Sequence, residues 1–327
     1  MKDGKIEILD SLRAFAALSV CLFHFICTTT GYFSNETLLR VMTNGQYGVQ
    51  LFFVISGFVI PWSMYQANFQ FRDFFRFLLK RLARLEPPYM VSILLALAVL
   101  LARERFYGME NSHIQISGKQ VALHFFYLIP FFEGYKWLNN VYWTLAIEFQ
   151  YYIFMALIYI PMIRSKTLIR MALYAILIAS SFFTGERFLF HWLPIFLLGV
   201  ALFQYKAKLM SAAEFYGVLL TLLVVCVYHY PFMAVVYAAV PVAAILFYTE
   251  KRIPVLDFFG TFSYSIYLIH PLLGATFINV MSHRFSGSAL QKIAVVSTGM
   301  VITLLSAWIM YKLVEKPSKR LSASIKY

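Results

Sequence analysis

The sequence predicts an all-α integral membrane protein of about ten transmembrane helices, with one short re-entrant or interfacial segment. Three observations carry that expectation. Of 327 residues, 61% are hydrophobic and only 13% are charged, against roughly 25% charged in an average soluble domain. Apolar runs of about 18 residues recur from end to end, which no single soluble core requires. The formal net charge of +13 gathers between alternate runs, as bilayer topology demands.

The N-terminal Lys2, Asp3, Lys5 and Glu7 lead into an apolar run, 8–30, interrupted by Arg13 and His24. It lacks a small-residue cleavage site, so it reads as a retained first span and not a signal peptide. The further spans are 48–66, 87–102, 141–163, 168–184, 188–204, 213–229, 231–249, 258–280 and 291–314. Each can cross the hydrocarbon when tilt is allowed. Residues 121–132 are too short to cross and contain His124 and Pro130, which makes them the re-entrant or interfacial segment.

With a cytoplasmic N-terminus, the inner loops collect most of the 28 Lys and Arg residues. Lys2, Lys5, Arg72, Arg76, Arg164, Lys166, Lys206, Lys208, Lys251, Arg252 and Lys312 to Lys326 are among them, whereas the outer side keeps Arg40, Arg103, Arg105, Lys119, Lys136, Arg187, Arg284 and Lys292. The positive-inside rule then puts both termini in the cytoplasm and accounts for the basic excess without nucleic acid. Cys21, Cys27 and Cys226 lie in apolar segments at spacings that suit neither a disulfide framework nor a metal, so no metal is expected. No repeat or linker divides the chain, and 1–327 reads as one transmembrane domain.

An ionisable side chain within a span is costly and therefore a functional candidate. Arg13 and His24 are eleven residues apart, three turns plus about 20°, and so project from one helix face about 16 Å apart. Arg13 also fits a snorkelling anchor, and His24 fits either an interhelical hydrogen bond or a general base. Ser56 in the second span and Glu148 in the fourth lie about 10 Å below the outer surface by helix rise. Ser56 beside Gly57 reads first as close helix packing and second as a nucleophile. Glu148 at the depth of His24 is expected to pair with it and orient the imidazole, with Tyr151 and Tyr152 one turn further along. The loop from Phe71 to Pro88 carries Arg72, Arg76, Lys80, Arg81 and Arg84, either an amphipathic helix on anionic lipid or a phosphate site gripped by Arg81 and Arg84. In the ninth span, His270 precedes a kinking Pro271 and can be satisfied by freed carbonyls.

Taken in order, these segments resemble the acyltransferase-3 family of membrane-bound acyltransferases. Arg13 through His24 is similar to its R-x10-H motif, Val49 through Phe58 to its second-helix motif, and Arg81-Leu82-Ala83-Arg84 to its cytoplasmic R-x-x-R. Trp143 through Glu148 followed by Tyr152, Ser263 through Pro271, and Glu315-Lys316-Pro317 continue the likeness. The family often carries Gly where this chain has Ser11 and Ala14, and Asp where it has Gln50.

The resemblance implies an acetyl-CoA-dependent O-acetyltransferase of the cytoplasmic (inner) membrane, bacterial in type, that acts on a hydroxyl of a cell-surface or exported glycan, free or lipid-linked. His24, Arg13, Arg81 and Arg84 are the residues it implicates. The expected sites are then His24, Glu148 and Arg13 for catalysis and Arg81, Arg84 and Arg13 for the donor. Ser56, Trp143, Tyr152, Tyr267 and His270 are expected in the substrate pocket. Larger members append an extracytoplasmic SGNH-type esterase domain, for which this length leaves no room. The rival reading is a transporter or flippase of a glycan or glycolipid, since intramembrane charge also marks substrate pathways.

Overall fold

The computed structural model describes residues 6–29, 31–107, 116–248 and 250–326. Lys2 and Lys5 of the expected cytoplasmic charge, and Thr30 and Thr249 at the ends of two expected spans, lie outside them. The chain forms fifteen α-helices among the described residues: α1 Ile8–Cys27, α2 Glu36–Thr43, α3 Gly48–Gln66, α4 Phe74–Tyr107, α5 Gly118–Phe125, α6 Tyr142–Arg164, α7 Thr167–Ser180, α8 Leu189–Lys206, α9 Ala212–His229, α10 Phe232–Phe247, α11 Pro254–Gly260, α12 Ser263–Ile269, α13 Thr276–Ser282, α14 Ala289–Met310 and α15 Lys316–Ser324. Two π-helical turns, His270–Ala275 and Tyr311–Glu315, join α12 to α13 and α14 to α15.

Among the described residues eight helical segments are long and apolar enough to cross a membrane, and the chain is an all-α multi-pass membrane protein. The expected fifth and eighth spans correspond to shorter apolar helices, Thr167–Phe183 and Phe232–Phe247. At about 1.5 Å per residue these reach roughly 24–26 Å, a little short of an average hydrocarbon core.

The centre is α3 packed on α8. Both are apolar on every face, as helices surrounded by other helices must be, and α8 buries Leu193 through Gln204 without a break. Two glycines set the distance between them. A Cβ on Gly57 would sit 2.1 Å from the Phe196 carbonyl oxygen, and one on Gly199 would sit 2.2 Å from that of Val54, so only small residues allow this approach. The outer helices leave large apolar side chains uncovered, such as Leu168, Phe183 and Tyr228, which suits lipid as the surrounding solvent. One ion pair braces this periphery, Arg170 of α7 to Glu214 of α9, both contacts at 3.0 Å.

Two boundaries differ from the sequence reading, and a third holds. Residues 71–88 are not a loop. From Phe74 they are the first turns of α4, which continues through Pro87 and Pro88, and the Tyr264 hydroxyl donates to Leu85 O at 3.0 Å in the turn that the prolines disturb. The ninth span does not begin at 258. Thr261 and Phe262 separate α11 from α12, because α11 is tied back to α1 by a hydrogen bond from Ser11 to Asp257. Segment 121–132 stays short, as expected, comprising α5 and a 3-10 turn at Ile129–Phe131. His124 within it is structural. Its Nδ1 lies 2.8 Å from Gln120 O and its Nε2 accepts from Leu138 N at 3.0 Å, and burial pushes its pKa down, so the neutral ring is the stable one.

Candidate active site

The polar residues of the spans gather around two cavities. A basic cavity of about 310 Å³ opens among α1, α3, α4, α6 and α12 with α15, near both ends of the described chain. An aromatic cavity of about 870 Å³ opens at the other ends of α1, α3, α6, α8 and α9. Val49 and Tyr267 line both and form the partition. The Tyr267 hydroxyl is 2.9 Å from Thr144 Oγ1, which donates in turn to Val141 O. Tyr267 therefore donates to Thr144, and its ring is fixed against Phe52 at 5.8 Å.

Helix α1 serves both cavities. Its 3.6-residue period puts Arg13 and His24 on one face, as the sequence indicates, with Arg13 on the basic cavity and His24, in the last turn, on the aromatic one. Arg13 pairs with Asp10 at 3.1 Å and stands three turns along α1 from His24, the separation that the sequence spacing indicates. Arg84 and Lys319 stand near enough to Arg13 for the cations to repel one another. Lys319 is held by Glu315 at 2.7 Å, whereas Arg84 forms no ion pair among the described residues. Arg81 is more deeply set. It donates to Ser63 Oγ and lies over the Phe77 and Tyr152 rings at 5.2 and 6.0 Å.

Glu148 belongs to the basic cavity. Ser56 Oγ donates to its Oε1 at 3.0 Å and Tyr152 at 2.6 Å, so the three side chains meet on the wall of the basic cavity. The expected pairing of Glu148 with His24 does not occur. Tyr267 touching Thr144 gives a common level: Glu148 lies four residues to one side of Thr144, and His270, against His24, three residues to the other side of Tyr267. By helix rise the carboxylate and the imidazole are offset by about 10 Å along the bundle.

His24 pairs with His270 instead. His24 Nδ1 is 2.9 Å from Val20 O and 3.2 Å from His270 Nε2, while His270 Nδ1 is 3.2 Å from Ile266 O. With both rings neutral, one assignment of hydrogens satisfies all three contacts. His270 carries its proton on Nδ1 and donates to Ile266, and His24 carries its own on Nδ1, shared between Val20 O and His270 Nε2. That leaves His24 Nε2 as a lone pair at the cavity wall. His270 is fully buried and stands behind His24, so it is not the pocket wall the sequence suggests. Pro271, which offers no N–H to Tyr267 O, opens the π-helical turn that begins at His270.

The aromatic cavity holds residues that the sequence reading passed over. Trp143 lines it 5.4 Å from Trp192, which stacks on Tyr230 at 5.7 Å. His229 Nε2 lies 3.2 Å from His191 Nδ1. These two histidines occupy the last turn of α9 and the first of α8, ends that the expected spans 213–229 and 188–204 already placed on one side of the membrane. The basic cavity likewise contains Asp10, Tyr264, Glu315 and Lys319, of which Tyr264 and Glu315 lie in motifs singled out in sequence.

Comparison with known proteins now decides the family. Residues 6–312 match its acyltransferase domain. The chain belongs to the acyltransferase-3 family. It is similar to "Putative peptidoglycan O-acetyltransferase YrhL" of Bacillus subtilis (strain 168), 31% identical over 156 residues, 44% of this chain and 22% of that one. It is also similar to "Putative O-acetyltransferase SACOL0978" of Staphylococcus aureus (strain COL), 28% identical over 162 residues, 47% of this chain and 25% of that one. The match thus spans about a quarter of the length of those relatives. No solved structure matches this chain. Among the described residues no group of His, Cys, Asp and Glu is arranged to hold a metal.

Proposed function

We propose that this acyltransferase moves an acyl group, acetyl foremost, from acyl-CoA in the basic cavity to a hydroxyl of a cell-surface or exported glycan in the aromatic cavity. The observation that carries the reading is His24 on the wall of the larger cavity, with its Nδ1 engaged by Val20 O and His270 Nε2 and its Nε2 in no hydrogen bond among the described residues. The positive-inside rule puts the basic cavity on the cytoplasmic side of the inner membrane, where acyl-CoA is available.

The residues of the basic cavity fit an acyl-CoA. Arg84 and Arg13 offer guanidinium forks for a pyrophosphate, and Arg81 helps to line the floor. At about 310 Å³, the low end of ligand pockets, the cavity takes the pantetheine arm and leaves the nucleotide at the mouth. Glu148, already accepting from Ser56 and Tyr152, keeps lone pairs for an N–H of that arm. Its role is donor positioning, not orientation of the base.

His24 Nε2 removes the proton of the acceptor hydroxyl as the oxygen attacks the thioester carbonyl carbon. The C–S bond breaks, the thiolate leaves, and the proton held by His24 returns to it, so the products are the ester and free CoA. His270 Nε2 accepts from His24 Nδ1 throughout, stabilising the imidazolium as it forms. The aromatic wall of Trp143, Trp192 and Tyr230 suits the apolar face of a sugar ring. Purified His24→Ala should transfer acetyl at least about 100-fold more slowly, the usual worth of a general base, with acetyl-CoA binding retained. Full transfer by this variant overturns the assignment.

A further inference from the structure

Gln50 is not used by the mechanism above. It lies in the first turn of α3, lines the aromatic cavity and is 7% exposed, yet its Oε1 has no hydrogen-bond partner. A buried carboxamide at membrane depth with an unsatisfied oxygen is costly, and the fold makes no attempt to satisfy it. Its neighbours Gln46 and Tyr47 reach the same cavity, and rotation about the last side-chain bond can bring either amide atom to the cavity.

The position is fixed relative to His24. A Cβ on Gly45 would sit 2.3 Å from Ser19 O and 3.2 Å from Phe23 Cβ, and one on Gly48 would sit 2.5 Å from Ala16 O and 2.9 Å from Val20 Cγ2. The chain at Gly45 and Gly48 is therefore laid directly along Ala16 to Phe23 of α1, and Gln50 and His24 line the same cavity. Trp143 lines the same space, held by Phe53 at 6.2 Å and Trp192 at 5.4 Å. A flat apolar ring, a base and a free carboxamide thus bound one volume.

Resting on the acyl-transfer reading, we propose that Gln50 is a positioning and specificity residue for the acceptor. It bonds a hydroxyl or amide N–H on the ring carbon next to the hydroxyl that His24 deprotonates. The acceptor class is then a saccharide that keeps a hydrogen-bonding substituent beside the acylated position. Binding of that substituent satisfies the carboxamide and turns the reacting hydroxyl toward Nε2. A sugar lacking it leaves the carboxamide unsatisfied and is rejected.

The test is a substrate-and-enzyme double cycle. Purified wild-type protein, Gln50→Met and Gln50→Glu are supplied with acetyl-CoA and a panel of methyl pyranosides, and the best acceptor is compared with its monodeoxy analogues. Gln50→Met keeps the side-chain length and removes both polar atoms, and Gln50→Glu keeps an accepting oxygen and so controls for folding. The expected result is an acceptor KM raised about tenfold in Gln50→Met, the worth of one buried hydrogen bond, with kcat at saturation changed less than threefold and partial recovery in Gln50→Glu. The analogue lacking the vicinal group should show the same KM with wild type and Gln50→Met. Equal losses on every analogue, or a Gln50→Met that loses only kcat, overturn the role of Gln50 and leave acyl transfer standing. A wild-type protein that acylates no pyranoside in the panel overturns the sugar-acceptor reading itself, and the role of Gln50 with it.

Discussion

The two cavities are built from different chemistry although α1, α3, α6 and α12 pass from one to the other. The basic cavity balances its ions locally: Asp10 holds Arg13, Glu315 holds Lys319, and Glu148 is hydrogen-bonded by Ser56 and Tyr152. Arg84 at its mouth is left over. The aromatic cavity is walled by Trp137, Trp143, Trp192 and Tyr230, with imidazoles in place of deep ions and its charges, Lys136, Glu186 and Arg187, exposed at the rim. A surplus cation suits a phosphorylated donor, and rings with neutral polar groups suit a sugar. In the proposed reaction, the partition at Tyr267 stands between the donor and the acceptor sites.

That contrast can be broken at its strongest point first. His24→Ala, with its loss of about 100-fold or more in kcat, should leave the basic cavity's affinity for acetyl-CoA within experimental error by calorimetry. A parallel loss of donor binding would mean that the cavities are not separate. Next, Arg84→Ala should raise the donor KM by about 10-fold or more, as loss of a charge-assisted hydrogen bond does, with thermal stability unchanged. Arg81→Ala should instead lower the melting temperature as well, because Arg81 is buried over two rings and bonded to Ser63. Equal effects of the two substitutions would contradict the separation of mouth from floor.

His270→Ala comes third. It should cost roughly 10-fold in kcat with little change in either KM, since Val20 O still holds His24 Nδ1 while the support of the imidazolium is lost. His270→Gln, which can accept in its place, should recover part of that loss. The smallest effect belongs to the partition. Tyr267→Phe removes the bond to Thr144 and should raise hydrolysis of acetyl-CoA without acceptor by about threefold, the net worth of a neutral hydrogen bond, as water reaches the thioester more readily.

The spans and the shared face of Arg13 and His24 were legible in the sequence because both depend only on local periodicity. Which imidazole or carboxylate meets His24 was not. Its partner His270 is 246 residues away, and depth reckoned from assumed helix starts errs by a turn or two. His24 sits in the last turn of α1 and Glu148 two turns into α6, so apparent equality of depth became an offset of about 10 Å. The R-x-x-R pair was visible as a motif, but its division into a seated Arg81 and an outward Arg84 arises from α4 continuing through Pro87 and Pro88. Trp192, His191 and His229 were hidden by ordinary apolar context, although two histidines at adjoining span ends were a usable signal.

The most direct test of opposed donor and acceptor sites is a sided assay in proteoliposomes of defined orientation. Acetyl-CoA is supplied only on the side of the chain termini, with a membrane-impermeant glycan acceptor on one face or the other. The account predicts acetylated glycan only when the acceptor faces away from the termini, and none from His24→Ala. Acetylation of acceptor on the same side as acetyl-CoA, at an equal rate, would contradict it.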